Sequence, residues 1–295
     1  MDLPAVARLP HEHKTREVAY AYPRAMRVVL AVLVLWRWCG VWLVSALVVL
    51  ATDPPVTPPL LARLVAVSIA LPWLVEYALR YPFRARVSGD GEVLGLELRF
   101  FRLEIPRELL SGATPWRVPL PGPGVHLITR RGTPLRERVE VGCPRCWAEE
   151  HRLPLVAAED WACRGTLAFS EARAARPPVR WYHYGVKFFL FGLVPTALLF
   201  QLHQHIAYGS LWGEYYQRGW AAYLRTWCVY YGTVVTYLML LAGVLRSAME
   251  WLLWLAAQLA PLSAPRIRLR AEQALTMLYY GGVLILLALR FAGCG

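Results

Sequence analysis

A chain of 295 residues with 57% hydrophobic and only 18% charged residues is more apolar than a water-soluble domain of that size. The net charge of +12 does not point to nucleic acid, because the basic residues are scattered around apolar runs and form no dense stripe beside a reading motif. A mean hydropathy of +0.36 and several runs near the roughly 20 residues that cross a bilayer mark a membrane protein.

Taken in order, residues 1–27 form a polar tail of mixed charge. It is too long, and the run after it too extended, for a cleaved signal, so the first apolar run is expected to stay as an anchor. That run, 28–51, and a second, 60–79, are joined by the proline-rich turn "TDPPVTPP" and make a transmembrane hairpin over 28–80. A polar segment follows over 81–180. Residues 181–295 then hold three further spans, near 185–205, 226–245 and 272–292. The segment 251–262, "WLLWLAAQLAPL", is too short to cross alone and is read as an interfacial helix or an extension of the fourth span.

Charge orients these spans. Residues 80–183 carry seventeen arginines against twelve acidic residues, a net +5, and the tail carries Arg8, Lys14, Arg16, Arg24 and Arg27. Arg246, Arg266, Arg268 and Arg270 lie between the last two spans, while the opposite side has only Arg63, Arg218, Arg225 and Arg290. The positive-inside rule places the N-terminus in the cytoplasm and the C-terminus in the periplasm of a bacterial inner membrane.

The segment 81–180 has a different texture. "FRARVSGDGEVLGLELRFFRLEIP" has two β-rich stretches around Asp90-Gly91, a hairpin cue. "PWRVPLPGPG" reads as a loop, and "GVHLITRRGTPLRERVEV" as a second hairpin. "RCWAEEHRLPLVAAEDW" is partly helical, interrupted at Pro154. The expectation is an antiparallel sheet of four to six strands with a flanking helix. The fold class is therefore an α+β membrane protein, about five transmembrane helices with an inserted cytoplasmic β-domain.

A membrane hairpin followed by a β-domain with the Asp90-Gly91 turn, "FRLEIP", "GVHLITRRG" and a closing "RVEVGCPRCWAEE" resembles the bacterial PH-like membrane proteins over residues 28–160. The resemblance implies a β-domain that docks proteins or lipids rather than one that catalyses. It carries over no functional residue, and the proline-rich loop and the Cys-x2-Cys depart from the pattern.

Three constellations bear chemistry. Cys143, Cys146, His151 and Cys163 hold the donor types of a zinc site, with Cys-x2-Cys as one half, or of a redox pair. The irregular second half leads to the expectation of incidental thiols without stoichiometric zinc, and a cytoplasmic location argues against a structural disulfide. His203, His205 and Glu214 can be read as a metal or proton site, although residues at i and i+2 do not share a helical face. Arg37 lies in the middle of the first span and Glu76 near the cytoplasmic end of the second. Side chains tilt toward their own helix N-terminus, so in antiparallel helices these two lean together as a structural ion pair.

No phosphate loop, GxGxxG, GxSxG or HExxH motif occurs, and the spans show no internal repeat. The expected function is a non-catalytic accessory, assembly or scaffold component of a membrane complex. Its expected partners are membrane lipids and other membrane proteins, with no cofactor, nucleic acid or small-molecule substrate identified. The rival readings are a redox- or metal-linked enzyme subunit using the 203–214 cluster, and a lipid-binding or transport protein.

Overall fold

The computed structural model describes residues 18–51, 56–89, 92–100, 102–177 and 180–292. Strand β1 (Val18–Pro23) runs straight into helix α1 (Arg24–Leu50). The second apolar segment is α2 (Pro58–Val65), a π turn at Ala66–Ala70, and α3 (Leu71–Arg80). Six strands follow: β2 (Arg84–Gly89), β3 (Val93–Leu98), β4 (Arg102–Pro106), β5 (Leu110–Pro115), β6 (Gly124–Thr129) and β7 (Pro134–Glu140). Helices α4 (Pro144–Glu150) and α5 (Trp161–Ala174) come next. Then α6 (Trp181–Tyr184), a π turn at Gly185–Leu190 and α7 (Phe191–Tyr208) form one helical segment. The last helices are α8 (Gly213–Leu259) and α9 (Ala264–Ala292). The chain divides into two compact units, Met1–Leu30 with Tyr77–Ser170, and Ala31–Glu76 with Glu171–Gly295.

The first unit is built on one antiparallel sheet of seven strands, ordered β4-β3-β2-β1-β7-β6-β5. This corrects the expected four to six strands and draws on the segment 1–27 read as a polar tail. The added strand comes from that tail: "VAYAYP" alternates as a strand must, and it pairs Ala19 with Ala85 of β2 and Ala21 with Val139 of β7. In the sheet it lies between two three-stranded meanders, β2–β3–β4 and β5–β6–β7. Ala19 and Ala21 face the main core with Val87, Leu94, Leu96, Leu127 and Val139, where Trp147 of α4 is fully buried. Tyr22, one residue out of phase, faces a second cluster with Leu30 and Trp116. The proline-rich stretch 116–123 is the irregular link between β5 and β6. The Asp90-Gly91 turn, residues 52–55 of the proline-rich turn, and Arg8, Lys14 and Arg16 of the tail lie outside the described residues.

In the second unit the apolar runs are helical. Among the described residues four segments are long and apolar enough to cross a membrane: Arg24–Leu50, Pro58–Phe83, Trp181–Tyr208 and Gly213–Leu259. The chain is thus an α+β protein with a sheet inserted between apolar helices. The fifth expected span falls within the continuous helix α9. Of the two alternatives for 251–262, the helical extension holds through Leu259, because α8 continues unbroken past the fourth span.

Residues 213–218, between the third and fourth expected spans, are the first turns of α8. A single break at Gly219, with φ 82° in the left-handed region that favours glycine, separates them from the long run. Gly40 of α1 has a different role. A β-carbon there would lie 2.3 Å from the Ser68 carbonyl oxygen, so the helix meets the π turn backbone to backbone. The π turn before α7 joins α8 and α9 in a core of Phe188, Val234, Val235, Leu238, Tyr279 and Val283, against which Phe191 and Leu199 of α7 pack. Val44, Leu61 and Leu240 form a smaller one between α1, α2 and α8.

Candidate functional site

Within the β-unit, polar groups collect on the face of β1 that carries Tyr20 and Tyr22. Glu140, opposite Tyr20 on β7, accepts from the Tyr22 hydroxyl and from Arg80 Nη1, the latter at 2.9 Å. Arg27, in the first turns of α1, lies 3.8 Å over the ring of Trp116. It also donates to the carbonyls of Leu120 and Val118 at 3.2 and 3.1 Å, which holds the proline-rich link in place. Arg138, opposite Tyr22, contacts the His126 ring on β6. Burial, and then the positive charges of Arg138, Arg27 and Arg24, push His126 down to about 3. The arrangement is a structural clamp: Arg27 stacks on Trp116 and donates to two carbonyls, and Arg80 and the Tyr22 hydroxyl share the Glu140 carboxylate.

A pH dependence follows. His126 stays neutral in the folded protein until about pH 3, whereas in the unfolded chain it takes up a proton near 6.5. Between those values the unfolded chain holds the extra proton, so stability falls as the pH drops below about 6.5 and does not change through this group above it. With a discount for partial exposure, the loss from pH 7 to pH 5 is expected to be about 1 kcal/mol. Thermal melts of the full chain in detergent should show a shallower acid slope for His126→Gln. Parallel slopes for variant and wild type would exclude the effect.

The cysteines do not converge on a metal. Cys143 and Cys146 are joined in a disulfide, which corrects the expectation of free, incidental thiols. A tight turn places both sulfurs together, and Cys143 Sγ also accepts from the Cys146 N–H at 3.2 Å. His151 is instead packed against Trp147, 4.8 Å between ring centres, and burial lowers its affinity for a proton. Cys163 is buried and donates to the Pro115 carbonyl at 3.7 Å. Burial and the nearby Asp160 raise its thiol. Among the described residues no group of three His, Cys, Asp or Glu side chains could hold a metal ion.

In the helical unit, Arg37 Nη1 and Glu76 Oε2 meet at 2.8 Å, with Glu76 buried and Arg37 a quarter exposed. The 203–214 stretch is arranged differently from its sequence reading. Glu214 is buried, and its partner is the residue between the two histidines: Gln204 Nε2 donates to Oε2 at 2.8 Å, and Thr226 Oγ1 to Oε1 at 2.7 Å. His203 packs on Tyr208 and Tyr230, and His205 is exposed. A step of one residue rotates a helical side chain by about 100°, so Gln204 faces inward where its neighbours cannot.

Sequence reasoning missed a further network. Arg268 of α9, 2% exposed, is held by Glu250 of α8 at 2.8 Å and by Glu272 at 3.1 Å, and Arg246 and Arg176 add ion pairs to the same carboxylates. The spacing of Arg246 and Glu250, and of Arg268 and Glu272, is i, i+4 in each case, a signal available in the sequence. No protein-family model, curated protein or solved structure matches the chain.

Proposed function

We propose that the protein is a non-catalytic, multi-pass component of a bacterial inner membrane that assembles with other membrane proteins. In this reading the antiparallel β-unit is a PH-like docking module on the cytoplasmic side, α9 is a fifth span, and the C-terminus is periplasmic. The observation that carries it is where the charges among the helices go. Arg37 is paired with Glu76 and Arg268 with Glu250, each pair joining one helix to another, while Glu272, one turn on in α9, holds Arg268 from its own helix. A charge in an apolar segment ordinarily marks a functional pathway; here these charges cross-link helices, as a scaffold requires.

A second reading, a metal- or proton-handling site, is favoured by one feature: the buried Glu214 carboxylate accepts hydrogen bonds from two neutral groups, Gln204 and Thr226. Extraction of the full chain from its native membrane in mild detergent separates the two. Native mass spectrometry is expected to show a stoichiometric membrane-protein partner. A solitary chain carrying close to one metal per molecule by elemental analysis would instead favour the second reading. A cysteine placed at Thr133 should be labelled only from the cytoplasmic side, and periplasmic labelling would reverse the orientation.

A further inference from the structure

We infer that Cys143 and Cys146 form a thiol–disulfide exchange site, entered at Cys146 by a soluble thiol or dithiol. The inference is independent of the assembly role proposed above. Three observations support it. First, the bond links residues three apart, so it closes nearly the smallest loop available and removes little chain entropy from the unfolded state. It is not needed to anchor α4, because Trp147 of that helix is already buried in the sheet core. Second, the two cysteines are inequivalent: Cys146 is an exposed residue, whereas Cys143 is 7% exposed. Attack by an incoming thiol is therefore directed to one sulfur. Third, the sulfur that must leave is the one that accepts the Cys146 backbone N–H at 3.2 Å. A donor at that position favours the thiolate over the thiol.

The exchange balances with a thiol reductant. An external thiolate bonds to Cys146 Sγ, the Cys143–Cys146 bond breaks, and its electron pair leaves on Cys143 as a thiolate. A second external thiolate then attacks the mixed disulfide at the external sulfur, and Cys146 departs as a thiolate. The reductant is oxidised to its own disulfide, two electrons pass to the pair, and both cysteines take up protons according to the pH. Oxidation is the reverse. Cys163, buried and with its thiol raised, takes no part.

The test uses the full chain in detergent, equilibrated in glutathione buffers of graded potential, trapped by alkylation and read by peptide mass spectrometry. Cys143 and Cys146 are expected to gain alkyl groups together, reversibly, with the reduced-to-oxidised ratio changing about tenfold per 30 mV, as a two-electron couple requires. Cys143→Ser should retain glutathione on Cys146 as a mixed disulfide, because the internal thiol that would expel it is gone. Cys146→Ser should capture several-fold less on Cys143. A pair that stays oxidised until the chain unfolds would overturn the inference. So would equal glutathione capture by the two variants.

Discussion

Replacing Trp116 by alanine is expected to destabilise the β-unit by about 3–5 kcal/mol, the range for emptying a buried tryptophan site. The ring is fully buried in a cluster with Tyr22 and Leu30, 6.4 Å from Tyr22 and 5.9 Å from His126 between centres. It also fills the space above Gly124, where a β-carbon would come within 2.8 Å of the indole. The Arg27 guanidinium covers it at 3.8 Å, so alanine would remove a cation–π contact along with the buried area. Trp116→Phe should lose only about 1–2 kcal/mol. It keeps an aromatic ring, and the indole N–H it deletes has no acceptor among the described residues. Hydrogen exchange of the β5 and β6 amides in the full chain reports this local stability. If those amides exchanged as slowly in Trp116→Ala as in wild type, the ring would not be holding the proline-rich link against the sheet.

What the sequence discloses depends on the length over which a pattern repeats. The apolar helices are legible because each run is long enough for its hydrophobicity to outweigh local exceptions, and the described segments overlap the first four expected spans. Strand β1 is too short for that. "VAYAYP" carries a period of two for six residues at the end of a charged tail, and only its pairing with β2 and β7 reveals it as the centre of the sheet. The Gln204–Glu214 contact was hidden for a different reason. Glutamine is neutral and draws no attention beside two histidines, and the position of Glu214 depends on where α8 begins before its break at Gly219. The Cys-x2-Cys spacing announces two adjacent sulfurs but not whether they are bonded, since thiols, a disulfide and a metal half-site all fit it.

Lone charges in apolar helices are more informative, and the Arg37–Glu76 pair gives the last expected result. Arg37 lies nine residues beyond Val28, roughly 13–14 Å along the helix at its ordinary rise. An unpartnered arginine at that depth costs on the order of 2.5–3.5 kcal/mol on insertion scales. Here Nη1 reaches Glu76 at 2.8 Å, and the carboxylate side chain is 9% exposed. Glu76→Gln should therefore leave a cation that is only a quarter exposed short of its counter-ion and cost about 3 kcal/mol, the lower end of the range for breaking a buried pair from one side. Arg37→Met removes the charge that Glu76 faces and should cost a similar amount. Replacing both removes both desolvation penalties along with the attraction, so the double variant is expected to recover to within about 1 kcal/mol of wild type. Snorkelling of Arg37 to headgroups predicts something else: the two losses would simply add, since neither residue would sense the other. Thermal unfolding of the four forms in one detergent distinguishes these outcomes. A double variant at least as unstable as the sum of the singles would show that the pair does not hold α1 against the second helical segment.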